Sequence, residues 1–311
     1  MSADAVLTTT RRPAMGAEVE ITTDVSPVAI SAALHVVARL EQRWTRFSDD
    51  NELAMLNAAD GPALARASTA RVIEVALAGR TITRGWFDPT RGTDVRAAGY
   101  EHASQSWVQA SERAPRGGEV EIDGDTGLVH IPVGVEIDLG GIAKGWASDV
   151  AATLLRERGA SHAGVAVGGD VRVCSDTPAL VEVASPACIS APPAIVSLRD
   201  GGVAVSGPTK RRTADGRHHL VDPFTGRPAR HPRVAVVIAA AAAGAEMLAT
   251  AAAIAPSEDA VDIISSVGAT AWLIEPDGAL TAVGEPDRFL LESGWLAQPS
   301  GRRWTPRAST T

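Results

Sequence analysis

Apolar residues recur at helical spacing near the front of the chain and gather into short β-branched runs further on. After Ser26-Pro27, a pair that suits a helix start, Ile30, Leu34, Val37, Leu40 and Trp44 form one stripe and predict a helix across that span. Val72, Val75 and Leu77 predict a second helix from about Thr69 to Thr83, ending near Gly85. Beyond Glu119 the texture predicts strands over Val129 to Ile137, Gly164 to Val167, Leu180 to Val183, Ala194 to Leu198, Val203 to Val205 and Val234 to Ile238. Asp277-Gly278, between the apolar runs 271–274 and 280–283, reads as a hairpin turn. The alanine run Ala239 to Ala243 joins a strand to a helix that Pro256 ends, so it reads as a tightly packed corner rather than a linker. Helices at the front and sheet behind predict an α+β fold.

The segment from Val135 to Asp149 carries the most information. It reads as a buried strand ending on Asp138, a turn through Gly140 and Gly141, and a helix with Lys144 at its mouth. Trp146, Val150 and Leu154 would share a face of that helix, and Gly159 stands where a left-handed stop belongs. Glycines permit close approach to the backbone, exposed N–H groups at a helix start point at anions, and the lysine adds a mobile positive charge. Such a junction suits a phosphate-bearing ligand. It is neither a P-loop, which needs Gly-Lys-Ser/Thr in that order, nor the G-x-G-x-x-G dinucleotide fingerprint.

Composition narrows the setting. The chain has 311 residues, 45% of them hydrophobic and 21% charged, as in ordinary globular proteins. A net charge of −8 argues against a nucleic-acid partner, so any anion site must be built locally. Cys174 and Cys188 provide neither a disulfide framework nor a zinc spacing. No stretch reads as a signal peptide or a membrane span, which predicts a cytoplasmic protein. Residues 1–14 and 297–311 are expected to be flexible ends of one domain covering 15–296.

Three further motifs carry candidate chemistry. The apolar run Val203-Ala204-Val205 delivers Ser206-Gly207, followed by His218-His219-Leu220-Val221-Asp222 and the turn Pro223-Phe224-Thr225-Gly226. A histidine near an acid can move protons at neutral pH, although Asp222 and Thr225 could equally bond their own backbone. The second is Gly85-Trp86-Phe87-Asp88-Pro89-Thr90. In the third, Ala245 to Thr250, Glu246 and Thr250 share a helix face and could offer oxygens to a hard cation such as Mg²⁺.

Taken in order, these segments resemble the ApbE family, the FAD:protein FMN transferases. Met15-Gly16 is similar to the family's Met-Gly-Thr start, and Phe47 to Asn57 to its aromatic, Ser-Glu and Leu-Asn segment. Phe87 to Thr90 matches F-D-P-T, Asp138 to Gly145 matches D-L-G-G-I-A-K-G, and Gly168-Gly169-Asp170 matches Gly-Gly-Asp. Ser206-Gly207, His219 to Gly226 and Ala245 to Thr250 complete the series. The resemblance implies a single T-fold-like domain with helices packed on a mainly antiparallel sheet. It implies FAD contacts at Met15, Phe47, Ala98, Gly99, Tyr100, Asp138, Lys144 and Leu220, with Gly168, Gly169, Ser206 and Gly207 also at the cofactor. It implies Mg²⁺ ligands at Gly141, through its carbonyl, Glu246, Ala249 and Thr250. The implied reaction moves FMN from FAD to a Ser or Thr of an acceptor protein and releases AMP, with Lys144 on the pyrophosphate, His219 as base and Asp222 orienting it. Water in place of the acceptor would make an FAD pyrophosphatase, and loss of the metal a non-catalytic FAD-binding protein. Glu246 stands where the family has Asp, Val205 where it usually has Thr, Phe47 where Tyr is common, and Ala17 where Thr follows Met-Gly.

Overall fold

The computed structural model describes residues 6–97, 119–185, 192–208 and 220–296. Two antiparallel strands, β1 (Thr8–Ala14) and β2 (Ala17–Thr23), precede the helices α1 (Pro27–Trp44), α2 (Glu52–Ala58) and α3 (Ala67–Ile82). Strand β3 (Ala63–Leu64), between α2 and α3, joins β4 (Glu121–Asp123) and β5 (Leu128–His130) in a small sheet, and α4 (Gly92–Ala97) lies between α3 and β4. Helix α5 (Ala143–Glu157) then leads into β6 (His162–Val167), β7 (Asp170–Val183) and β8 (Ala194–Ser206). The short pair β9 (Val221–Asp222) and β10 (Arg227–Pro228) is followed by β11 (Val234–Ala239), α6 (Ala242–Ile254) and α7 (Ser257–Ser266). The hairpin β12 (Thr270–Ile274) and β13 (Leu280–Val283), α8 (Pro286–Phe289) and β14 (Leu290–Glu292) close the fold.

The main sheet runs β1-β2-β6-β7-β8-β11-β12-β13, with β14 added to β8. Every pairing between these strands is antiparallel. Its two halves are covered differently. In β2 only Val19, Ile21 and Thr23 are fully buried, in alternation, against the cluster formed with α1, α3 and α5. In β11 and β12 nearly every residue is buried, because Ala235, Val237, Ala271 and Leu273 lie under α6 and α7 while Val234, Val236, Ile238, Trp272 and Ile274 face a separate cluster on the opposite side. The continuous apolar run at 234–238 is thus the signature of a strand covered on both faces.

The alanine corner is as tight as the sequence suggests. A Cβ on Gly145 would lie 2.4 Å from the Ala242 carbonyl oxygen, and one on Gly202 2.3 Å from the Ala242 nitrogen. Two glycines, one from α5 and one from β8, therefore let α6 start against them.

Several expectations change. Residues 8–14, expected to be part of a flexible end, form β1, whose ladder to β2 runs from Thr8↔Thr23 to Ala14↔Ala17. The strand expected over 129–137 is cut to Leu128–His130, and Val135 to Asp138 belongs to no sheet, Glu136 making only an isolated parallel bridge to Arg91. The strands expected at 194–198 and 203–205 are one strand, β8, and Leu180 to Val183 is the end of β7, which bulges between Cys174 and Ala179. Helix α5 buries Ala147, Ala151 and Leu155, one position from the expected stripe of Trp146, Val150 and Leu154, because small side chains allow α1 and α6 to approach. Ala98, Gly99, Tyr100, Cys188, His218, His219 and the tail 297–311 lie outside the described residues.

Candidate active site

The segment ahead of α5 is held by partners from distant parts of the chain. Asn57 of α2 imitates a neighbouring strand: its Oδ1 accepts the Ile137 N–H at 2.8 Å and its Nδ2 donates to the Ile137 carbonyl at 2.9 Å. Gly92 N donates to Glu136 O at 2.9 Å and Asp138 N to Pro89 O at 2.8 Å, which lays the Phe87-Asp88-Pro89-Thr90 motif alongside Asp138. Asp88 shapes that motif by accepting the Thr90 N–H and hydroxyl at 2.9 and 2.6 Å, with Arg80 3.2 Å away. The Phe87 ring lies under Gly141, where a Cβ would come within 2.9 Å of it.

Two adjoining clefts meet at the turn into α5. The first is lined by Arg46, Phe87, Arg91, Asp138, Gly141, Lys144, Gly168, Ser206, Gly207, Leu220, Glu246 and Thr250, among others, and the second by Met15, Phe47, Asn57, Asp138 and Lys144, among others. Asp138, Gly140, Lys144 and Arg46 belong to both. The structure therefore gathers eight of the expected FAD contacts, Met15, Phe47, Asp138, Lys144, Gly168, Ser206, Gly207 and Leu220, around one continuous depression. Gly169 stands beside it, in the turn of the β6–β7 hairpin, where Gly168 and Gly169 adopt φ of 60° and 95°. Successive positive φ values are what a two-residue hairpin turn requires, so this Gly-Gly pair has a structural reason as well as a place at the cleft. The β1–β2 hairpin repeats that turn with Met15 and Gly16 at φ 57° and 64°. A methionine in the left-handed region is strained, and strain of this kind concentrates at functional sites.

The charged side chains at the junction are paired. Asp138 accepts from Arg46 Nη1 at 2.6 Å and from its own turn at Gly140 N at 2.5 Å. Lys144 Nζ donates to both Asp170 and Glu246, and the second Glu246 oxygen accepts the Gly145 N–H at 2.8 Å. Glu246 is 3% exposed, and the lysine side chain retains 17% on the cleft side. Burial works against the Lys144 charge, but the two carboxylates outweigh it and hold the ammonium well above its ordinary value. One ammonium shared by two carboxylates leaves the trio net negative. Burial, with Asp170 nearby, pushes Glu246 up to about 7 despite Lys144.

The expected metal ligands can be tested against this geometry. Glu246, Thr250 and Gly141 line the same cleft, and a Cβ on Gly141 would be 3.6 Å from Thr250 Oγ1, which in turn is 3.4 Å from Ser206 Oγ. Ala249 is buried within α6. Among the described residues no three His, Cys, Asp or Glu side chains converge, so a carboxylate, a hydroxyl and backbone carbonyls would make up the protein's share. That hard, all-oxygen set fits Mg²⁺, which keeps part of its water shell.

Asp222 is tied to its own turn, and its expected partner His219 lies outside the described residues. Asp222 Oδ1 accepts the Phe224 N–H at 2.8 Å and its carbonyl accepts from Gly226 N at 2.8 Å, so the side chain serves the β9–β10 turn, and it is Val221 and Pro223 that line the cleft. That turn is pinned by Arg91, which donates to the Pro223 carbonyl, and by an edge-to-face contact of Phe224 on Trp86 with ring centroids 4.7 Å apart. Arg46 and Arg91 are not among the residues the sequence pointed to, and Asp170 entered only as the end of the Gly-Gly-Asp motif, with no role given to its side chain.

The ApbE family model matches residues 15–287. This chain belongs to the ApbE family. Its relatives include an FAD:protein FMN transferase of Vibrio cholerae, 27% identical over 220 residues that cover 65% of this chain and 66% of that protein. One from Rhodobacter capsulatus is 32% identical over 65% of this chain and 42% of its own length. The chain thus spans about two-thirds of one curated ApbE relative and less than half of the other. Among solved structures, an ApbE protein from Thermotoga maritima superposes with a TM-score of 0.81 at 27% identity, covering 92% of this chain and all of that one. The single α+β domain with a mainly antiparallel sheet is therefore the ApbE fold. Among the described residues, no helix is long and apolar enough to cross a membrane.

Proposed function

We propose that this chain is an FAD:protein FMN transferase that moves FMN from FAD to a Ser or Thr hydroxyl of an acceptor protein. The observation that carries the reading is the pair of clefts joined at Asp138 and Lys144, with the Glu246–Thr250 face of α6 on one side and the strained Met15 turn on the other. FAD would lie across both clefts with its pyrophosphate at the junction, where Arg46 and Lys144 supply positive charge, and Arg91 adds to it from the first cleft. Mg²⁺ held by Glu246, Thr250 and the carbonyls of Gly141 and Ala249 would supply further neutralisation of the pyrophosphate.

In the reaction the acceptor hydroxyl oxygen forms a bond to the phosphorus on the FMN side, the bond from that phosphorus to the bridging oxygen breaks, and AMP leaves with that oxygen. The hydroxyl proton goes to a base, assigned to His219. Asp222, whose Oδ1 holds its own turn, fixes the segment that follows His219 and is assigned to orient that imidazole. The protein's part is orientation and electrostatics: Lys144 and Arg91 fix the phosphates, and the Phe87 and Leu220 side chains keep water from the cleft floor.

The test is incubation with FAD and Mg²⁺, with and without a flavin-acceptor protein, reading covalent flavin fluorescence on the acceptor and AMP in solution. Labelled acceptor with stoichiometric AMP is the expected result. Free FMN and AMP whether or not acceptor is present would make the chain an FAD pyrophosphatase, and unchanged FAD would make it a binding protein.

A further inference from the structure

Glu246 faces two cations' worth of demand. Its carboxylate is the one acidic side chain in the proposed Mg²⁺ set, yet in the structure Oε1 is taken by the Lys144 ammonium and Oε2 by the Gly145 N–H. Lys144 is the same side chain that the pyrophosphate would claim. It lines both clefts, its Cδ would be 3.2 Å from a Cβ on Gly168, and its side chain is 17% exposed toward the space the ligand would fill. Asp170, 5% exposed in its side chain, binds the same ammonium and keeps it near Glu246.

We infer that Lys144 and the divalent cation are alternative partners of Glu246, so that a pyrophosphate ligand which draws Lys144 toward itself opens the metal site. Metal and nucleotide would then bind with positive cooperativity. The inference rests on the metal assignment proposed above. Its physical basis is occupancy: Glu246 Oε1 already accepts from the Lys144 ammonium and Oε2 from the Gly145 N–H, so a dication must take the place of the ammonium, and a buried ammonium leaves a carboxylate only when another anion receives it. Linkage makes the coupling reciprocal, so Mg²⁺ must tighten FAD by the factor by which FAD tightens Mg²⁺.

The experiment measures Mg²⁺ affinity by calorimetry, on the protein alone and saturated with FAD in the absence of acceptor, for the parent, Lys144→Met and Lys144→Arg. FAD should raise the parent's Mg²⁺ affinity by roughly 5- to 150-fold, the usual range for coupled sites. Lys144→Met should bind Mg²⁺ without FAD at least tenfold more tightly than the parent and gain little from FAD. Lys144→Arg, which keeps the charge and adds a bidentate fork, should bind no more tightly than the parent. Equal Mg²⁺ affinity in the parent and Lys144→Met overturns the inference and leaves the metal site standing. Absence of Mg²⁺ uptake in every protein, with FAD present, overturns the metal assignment itself. Should circular dichroism show Lys144→Met unfolded, the parent decides: an Mg²⁺ affinity that does not respond to FAD sinks the competition.

Discussion

The starts of α5 and α6 are built alike and used differently. Neither has a side-chain cap at its own N-cap residue, Ile142 or Ala241. Each is capped instead by a carboxylate from the other helix. Asp149 of α5 accepts the Ala242 and Ala243 N–H groups at 2.8 and 2.9 Å, and Glu246 of α6 accepts the Gly145 N–H at 2.8 Å. Both are pushed above their ordinary values, first by burial. They part in their second partners. Asp149 faces Arg172, 3.3 Å away and itself tied to Asp200, whereas Glu246 faces Lys144 at the junction of two clefts. Reciprocal capping is scaffold physics; a cleft beside one of the two caps turns it into chemistry.

The largest way to break the comparison is to push the helices apart. Gly145→Ala would place a methyl 2.4 Å from the Ala242 carbonyl oxygen, against backbone that cannot swing aside. Overpacking against backbone should cost about 3 kcal/mol or more, disrupting both caps at once. A urea midpoint close to the parent's would show that the two helices slide freely, and the paired-cap description would fail.

Glu246→Gln separates cap from chemistry. The amide oxygen can still accept the Gly145 N–H, and Lys144 keeps Asp170, so stability should stay within about 1 kcal/mol of the parent. Transfer of FMN should fall roughly 10²-fold or more, as expected when a metal-held charge is lost. Transfer at the parent's rate, or full transfer in EDTA, would reduce Glu246 to a capping residue like Asp149.

The pH dependence of stability sharpens the contrast. Because Glu246 binds its proton more tightly folded than unfolded, its contribution is fully present below the ordinary carboxyl value of 4.5 and is lost as pH rises toward about 7. Asp149 shifts in the same direction. Metal-free protein should therefore lose stability as pH rises through that window, and Glu246→Gln should flatten most of the slope. A parent whose denaturation midpoint climbs from pH 4.5 to 7 would contradict the charge balance assigned to the Lys144 trio.

Sequence pattern revealed the fold class, the main helices and the cleft-lining motifs, because each of these is local. The hairpin at Asp277-Gly278, the corner at Ala239 to Ala243 and the turn before Lys144 depend on residues within a few positions of one another. What stayed hidden depends on partners far along the chain. Val135 to Asp138 looked like a strand, and its alternation gives no sign that the neighbour satisfying Ile137 is the side chain of Asn57, 80 residues away. The α5 stripe was misjudged because helix contact selected small residues, Ala147 and Ala151, over the larger Trp146 and Val150. Nothing local marks Arg46 or Asp149, whose partners, Asp138 and the start of α6, lie about 90 residues away and reach them only on folding. Asp222 shows the reverse: its turn-forming chemistry was legible locally, and the structure uses it that way.

The smallest effect tests the scaffold half of the comparison. Asp149→Asn keeps one acceptor oxygen and replaces the other with an amide group, so one of the two capping bonds at Ala242 and Ala243 is lost. Arg172 loses one of its two carboxylate partners and retains Asp200. The neutral amide, in turn, avoids the burial cost that the carboxylate pays. These opposing terms leave a net loss of about 1 kcal/mol, the usual worth of a helix cap, read as a shift in guanidinium midpoint. Because Asp149 does not line either cleft, FAD and Mg²⁺ affinities should match the parent's. A fall in either affinity larger than the loss of folded protein explains would mean that the start of α6 transmits to the cleft, and the two caps would have to be treated as one device rather than as scaffold and site.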